Sequence, residues 1–175
     1  MLIRREADGD ARAVHEVHAR AFGDQDAPDR TPVEAPLVDE LRAEGDLLPA
    51  LSFVAIGGDG GVTGHVCCSR ATLDGSDAGL VGLGPLGVRP ELHRAGIGSA
   101  LMYTILGAAD ALGVPAVVLL GEPAYYSRFG FVPAADHDVT APDPSWGGYF
   151  QIRTLGAYRS EHSGAFRYAP AFERL

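Results

Sequence analysis

The chain contains no lysine; all 14 of its lysine-or-arginine positions are arginine. That absence removes two classes of chemistry. A Walker-type phosphate loop needs Gly-Lys-Ser/Thr, and Schiff-base catalysis, including that of pyridoxal phosphate, needs a lysine amine. Positive charge is scarce overall: 23 acidic residues leave a formal net charge of −9. Nucleic-acid proteins displace counterions with clustered positive charge, so no nucleic-acid partner is expected. An acidic surface suits a cationic or amine-bearing partner better. Cysteine is also rare, with Cys67 and Cys68 adjacent. Strand neighbours point to opposite faces, so the pair shares a metal poorly and a vicinal disulfide would be strained. They read as reduced core thiols of a cytoplasmic protein. There is no long apolar run, and "MLIRREADGD" lacks the apolar segment of a signal peptide. A soluble, cytoplasmic chain without a membrane partner is expected.

What is present fits one globular domain over residues 1–175, with 46% hydrophobic and 21% charged residues. "MLIRRE" reads as a first strand. "ADGDARAVHEVHARAF" reads as a helix, with Asp8 or Asp10 as candidate N-caps and Val14, Val17 and Ala21 at helical spacing. A Pro/Asp-rich loop from Gly23 to Pro32 leads to a second helix around Leu37, Val38 and Leu41, ended near Gly45. "LSFVAIGG" and "GVTGHVCCSRATL" read as strands joined through "GGDGG", a hairpin signal, and "AGLVGLGPLGVRP" as a third. From Gly96 the pattern turns helical, with Ile97, Leu101, Ile105, Ala108 and Leu112 in step, stopped by Gly113 and Pro115. "AVVLLG" has the continuous apolar character of a strand buried on both faces. "PAYYSRFG" reads as one or two helical turns, "FVPAAD" as a strand, and "YFQIRTL" as the clear remaining strand beyond Asp136.

Two glycine motifs compete for a phosphate. "GLGPLG" (Gly82, Gly84, Gly87) spells the dinucleotide fingerprint, but Pro85 and an extended segment follow where a helix must begin. Glycines and a proline within a strand mark a bulge or a close backbone approach instead. Gly96-Ile97-Gly98 does open a helix, where free N–H groups and the helix dipole favour an anion. Arg89-Pro90 and His93-Arg94 stand just upstream.

These residues resemble the GNAT superfamily of acyl-CoA N-acyltransferases. "LGPLGVRPELHRAGIGSALM" is similar to its acetyl-CoA segment, V-x-P followed by Q/R-x-x-G-x-G/A and a helix; "PAYYSRFGFVPA" is similar to its F-Y-x-x-x-G-F segment. The wording also resembles the branch of YhbS-type predicted acetyltransferases. The resemblance implies an α/β fold with a mostly antiparallel mixed sheet, splayed between two parallel strands and flanked by helices. Its core would cover about residues 2–155, with 156–175 as an extension. It implies acetyl transfer from acetyl-CoA, without a metal, to a small-molecule or peptide amine by direct attack in a ternary complex. The family often dimerises, which leaves a homodimer open.

Carried onto this sequence, the resemblance places the CoA pyrophosphate on main-chain N–H groups of Arg94, Ala95, Gly96, Ile97, Gly98 and Ser99. His93 stands where the family has Gln or Arg. The pantetheine arm would run along Leu86, Gly87 and Val88 as an added strand, with a main-chain N–H there facing the developing oxyanion. Tyr126, four residues before Gly130, is the expected general acid for the thiolate; Tyr125 is expected to pack. No acidic residue lies in 78–88, so Glu122 is the first candidate base and His65 the second. Trp146, Tyr149 and Phe150 could wall the acceptor pocket. His15 and His18 are expected on a solvated helix face, since "HEVH" is not a zinc motif. Two other readings make different predictions: an acyl-CoA sensor would bind without turnover, and a dinucleotide oxidoreductase would bind NAD(P).

Overall fold

The computed structural model describes residues 1–23 and 32–174; the expected Pro/Asp-rich loop falls on 24–31, outside the described residues. In chain order the elements are β1 (Leu2–Arg5), α1 (Ala11–Phe22), α2 (Glu34–Glu44), β2 (Leu47–Ile56), β3 (Val62–Leu73), β4 (Val81–Val88), α3 (Ile97–Ala111), β5 (Ala116–Leu120), α4 (Pro123–Tyr126), β6 (Val132–Pro133), β7 (Val139–Thr140), β8 (Phe150–Thr154) and β9 (Gly164–Tyr168). The sheet runs β1-β2-β3-β4-β5-β8-β6, with β9 added to β3 and β7 to β9. Its pairs are antiparallel except β4 with β5 and β7 with β9.

Alternation along the strands divides the core between two faces. Cys67 packs with Val14, Val17, Leu37, Val38 and Leu41 beneath α1 and α2. Its neighbour Cys68 packs with Leu101, Met102 and Ile105 beneath α3. Both thiols are free and buried, and burial pushes both well up. Each is therefore a protonated core residue, not a nucleophile.

The glycines of "GLGPLG" lie inside β4, which excludes the helix-opening geometry of a dinucleotide turn. Val66 pairs with Leu86 and Cys68 with Leu83, so Gly84 and Pro85 together oppose Cys67. Two residues against one is a β-bulge, and it bends β4. The parallel ladder to β5 then consists of Val81↔Val117 and Gly82↔Val118. Beyond Gly82 the two strands part, and the C-terminal half of β4 is left with an open edge.

Two sequence expectations are refined. Asp10 stands at the N-cap position of α1, but its carboxylate bonds no N–H of that helix; it takes the Ala7 N–H at 2.8 Å, closing the 3-10 turn before α1, and the Arg4 guanidinium at 2.6 and 2.9 Å, tying β1 to the start of α1. "FVPAAD" is extended only at Val132–Pro133, after which Ala134–His137 form a 3-10 turn. The C-terminal segment, expected as an extension, supplies β9 to the sheet. Phe166 on β9 is fully buried, and the strand pairs Ala71↔Tyr168, Thr72↔Arg167 and Leu73↔Phe166. Phe166 and Tyr168 turn inward and Arg167 outward, an alternation too short for a periodicity reading to register as a strand.

Candidate active site

The gap between β4 and β5 opens into a cavity of about 1100 Å³. On the α3 side it is lined by Leu86, Val88, Gly96, Gly98, Ser99 and Tyr125. On the α1–α2 side it is lined by Phe22, Glu34, Leu37 and the C-terminal Tyr168 and Phe172. One channel thus reaches both faces of the sheet through the splay.

At the α3 end the chain forms an anion-binding concavity. Arg94 has φ 64° and Gly96 has φ 82°, left-handed conformations that turn successive N–H groups toward the same side. The first N–H groups of α3, including Ile97, Gly98 and Ser99, have no intrahelical carbonyl to meet. Ala95 stands apart, since its N–H bonds the Leu92 carbonyl at 3.3 Å and it does not line the cavity. His93 lines the cavity but donates from Nε2 to the Val88 carbonyl at 3.0 Å, fastening the loop to the end of β4. Positive charge comes from Arg94 and from Arg128, whose guanidinium lies 4.8 Å from the centre of the Tyr125 ring. The Tyr125 hydroxyl closes over Gly98: a Cβ there would stand 2.8 Å from it.

Tyr126 lies at the other side of the splay. Its ring crosses Gly121 so closely that any Cβ at that residue would collide with it. It packs edge-on against Tyr125 at 4.9 Å and Phe131 at 5.8 Å. Burial, reinforced by Tyr125, pushes its phenol up to about 12, so the hydroxyl is a proton donor throughout the neutral range.

The GNAT acetyltransferase domain model matches residues 2–134. The chain is 39% identical over 155 residues to the N-acetyltransferase YhbS of Escherichia coli K12, spanning 89% of this chain and 87% of that one. It therefore belongs to the GNAT acetyltransferase family. The crystal structure of E. coli YhbS in complex with CoA superposes with a TM-score of 0.88 at 35% identity, covering 99% of this chain and 92% of that one. A GNAT acetyltransferase of Brucella melitensis in complex with acetyl-CoA gives 0.76 at 32% identity, covering 98% and 97%.

In this acetyltransferase the expected base candidates separate. Glu122 lines the cavity but is exposed, and its carboxylate caps α4 by accepting the Ala124 N–H at 3.2 Å. His65 is fully buried and does not line the cavity. Of the three expected aromatic wall residues, Trp146 lines the cavity, Phe150 is core, and Tyr149 is 54% exposed and outside it. Sequence reasoning did not reach Phe22, Glu34, Leu37, Tyr168 or Phe172. One signal was available for Tyr168: mid-strand Gly82 has no side chain because that ring lies on it, 2.7 Å from where a Cβ would be. Among the described residues no group of His, Cys, Asp and Glu could hold a metal, and no helix is long and apolar enough to cross a membrane.

The expectation of a solvated "HEVH" face fails at His18, which is fully buried. Its Nε2 lies 2.8 Å from His65 Nδ1, and His65 Nε2 lies 2.9 Å from Ser52 Oγ and 3.3 Å from Glu6 Oε2. Ser52 donates to Glu6 at 2.5 Å, and Arg42 holds the other Glu6 oxygen at 2.6 Å. Burial alone would raise the Glu6 carboxyl, but hydrogen bonds from His65 and Ser52 and the charge of Arg42 hold it down at about 2. Burial lowers His18 to about 2 and lowers His65 as well.

Both effects have the same sign. Unfolded histidines take up protons below about 6.5 that the folded rings refuse, and unfolded Glu6 takes one below about 4.5. Stability is therefore expected to be level above neutral pH and to fall as pH drops below 6.5, more steeply below 4.5. Urea midpoints measured from pH 8 to pH 4 check this; an unchanged midpoint between pH 7 and pH 5 contradicts it.

Proposed function

We propose that this chain transfers an acetyl group from acetyl-CoA to the primary amine of a small molecule or peptide, in the cytoplasm, by direct attack within the splay of β4 and β5. The observation that carries the proposal is the open edge of β4, which faces a cavity continuous with the start of α3. The N–H groups around Gly96, Ile97, Gly98 and Ser99, with Arg94, would receive the pyrophosphate. The amide groups of pantetheine would pair with the edge from Leu86 to Val88. A strand N–H on that edge would face the thioester oxygen as it gains charge.

The amine nitrogen, delivered from the Phe22, Glu34 and Phe172 side, attacks the carbonyl carbon. The adduct nitrogen loses its extra proton to solvent, the adduct collapses by C–S cleavage, and the leaving thiolate takes the Tyr126 proton, which solvent replaces. The arginines of the cavity wall, Arg94 and Arg128, stand at the cofactor end, and a carboxylate on the acceptor side supports a cationic acceptor. Glu34 and Glu122 are the carboxylates that line the cavity, and Glu34 is half-buried on the acceptor side. All of these residues come from one chain, so the scheme serves a monomer or a homodimer alike.

The test is release of free thiol from acetyl-CoA with a panel of primary amines. Saturable, amine-dependent release supports the reading; tight acetyl-CoA binding with no acceptor-dependent release defeats it. Glu34→Gln is expected to raise KM for the amine roughly five- to tenfold with a smaller change in kcat, the loss of one partly exposed charged hydrogen bond. Unchanged KM across the panel would remove Glu34 from acceptor binding.

A further inference from the structure

The two sides of the splay differ in chemistry. Arg94, Arg128 and the free N–H groups of α3 stand at the cofactor end. The acceptor side is walled by rings. Tyr168 lies across Gly82, 2.7 Å from where a Cβ would be, and Phe172 stands 3.9 Å from the Cβ position of Gly84. Those two rings are 4.8 Å apart at 33°, and Trp146 adds a third at 6.4 Å from Tyr168. All three line the cavity. They therefore follow β4 through the residues where it leaves β5, next to the open edge that would receive the thioester.

Two further lining residues leave apolar surface uncovered: Phe22 is 39% exposed, and Leu120, at the end of β5, is 45% exposed. Uncovered apolar surface lining a cavity marks a site for a ligand with apolar surface of its own. Charge on this side is sparse. Glu122 is engaged in capping α4, which leaves Glu34 as the one carboxylate free for a ligand among the described lining residues. A polyamine would need more carboxylates for its further charges. An amino acid would need a cation for its own carboxylate, and both lining arginines stand at the other end. The volume of about 1100 Å³ must also hold the acyl and pantetheine groups, so the acceptor is compact.

We propose that the acceptor is an arylalkylamine, a compact primary amine whose aromatic ring is received by Phe22, Trp146 and Phe172 and whose ammonium form pairs with Glu34. This rests on the acetyl-transfer reading above and names its substrate class. The ring displaces water from Phe22 and Leu120 and meets its aromatic neighbours offset or edge-on. The ammonium loses one proton to solvent before its nitrogen attacks. The products are the N-acetyl arylalkylamine and the free thiol of CoA.

The test compares initial rates of thiol release from acetyl-CoA with phenethylamine, ethylamine, putrescine and glycinamide. Ethylamine keeps the amine and removes the ring. The kcat/KM of phenethylamine is expected to exceed that of ethylamine about 100-fold, the effect of burying one phenyl group, and to exceed those of putrescine and glycinamide. A ratio to ethylamine below about tenfold, or a faster putrescine or glycinamide, overturns the proposal. Phe22→Ala and Phe172→Ala should each shrink the phenethylamine-to-ethylamine ratio about tenfold, a change that a merely structural role would not produce. A ratio unchanged in both variants overturns the aromatic wall. Failure of every amine to turn over in wild type defeats the acetyl-transfer reading instead. Trp146, the single tryptophan of the chain, then decides. Phenethylamine added to the CoA-bound protein should shift its fluorescence saturably where ethylamine does not, and the absence of a shift overturns the proposal.

Discussion

Tyr126→Phe should lower kcat by roughly 100- to 10,000-fold, the usual span for removing a positioned proton donor. KM for acetyl-CoA should stay close to wild type. The ring itself fills the space over Gly121 and packs on Tyr125 and Phe131, and phenylalanine keeps all of that. What disappears is a hydroxyl whose phenol, pushed up to about 12 by burial, stays protonated while a thiolate leaves beside it. The same elevation means that Tyr126 imposes no basic limb on the rate below about pH 11. Tyr125→Phe is the comparison: its hydroxyl sits over Gly98, at the cofactor end, and its loss should act on acetyl-CoA affinity. Equal activity of Tyr126→Phe and wild type would transfer the acid role elsewhere, with Tyr168 the cavity-lining phenol left to examine beside Tyr125.

Gly98→Val should weaken CoA binding about 100-fold, equivalent to losing one or two hydrogen bonds to a charged phosphate. Gly98 is helical and has no positive φ, so the cost is not backbone strain. The cost is steric. The first carbon of the side chain would already stand 2.8 Å from the Tyr125 hydroxyl, and the two methyls would project into the cradle. Gly107, on the same helix with open space around its Cα, supplies the control. Gly107→Ala should leave CoA affinity unchanged and stabilise the fold by about 0.5–1 kcal/mol. Calorimetric titration of CoA into both variants separates the outcomes; equal affinities would move the pyrophosphate off the α3 terminus.

Much of this was legible because it is local. The helical step from Ile97 to Leu112, the glycines before it and the strand character of "AVVLLG" each depend on residues within one element. Gly84-Pro85 marked the bulge, and the bulge explains the splay. The acceptor side was not legible because it is assembled from distant segments. Phe22 ends the first helix, Glu34 begins the second, and Tyr168 and Phe172 come from the last strand and turn. No spacing rule connects residues 22, 34 and 168. His18 was misread for a related reason. A histidine on an amphipathic helix reads as solvated, and only the fold reveals that His65, itself held by Ser52 and Glu6, meets its Nε2 in the interior beneath α1. The base candidates failed as a pair of opposites, since Glu122 is used as a helix cap and His65 is sealed in the core.

The claim that acyl donor and acceptor meet together in the splay is tested most directly by initial velocities over a grid of acetyl-CoA and amine concentrations. Direct attack within a ternary complex predicts double-reciprocal lines that intersect. Parallel lines would signal an acetyl-enzyme intermediate and contradict the account, because neither buried cysteine is placed or ionised to form one.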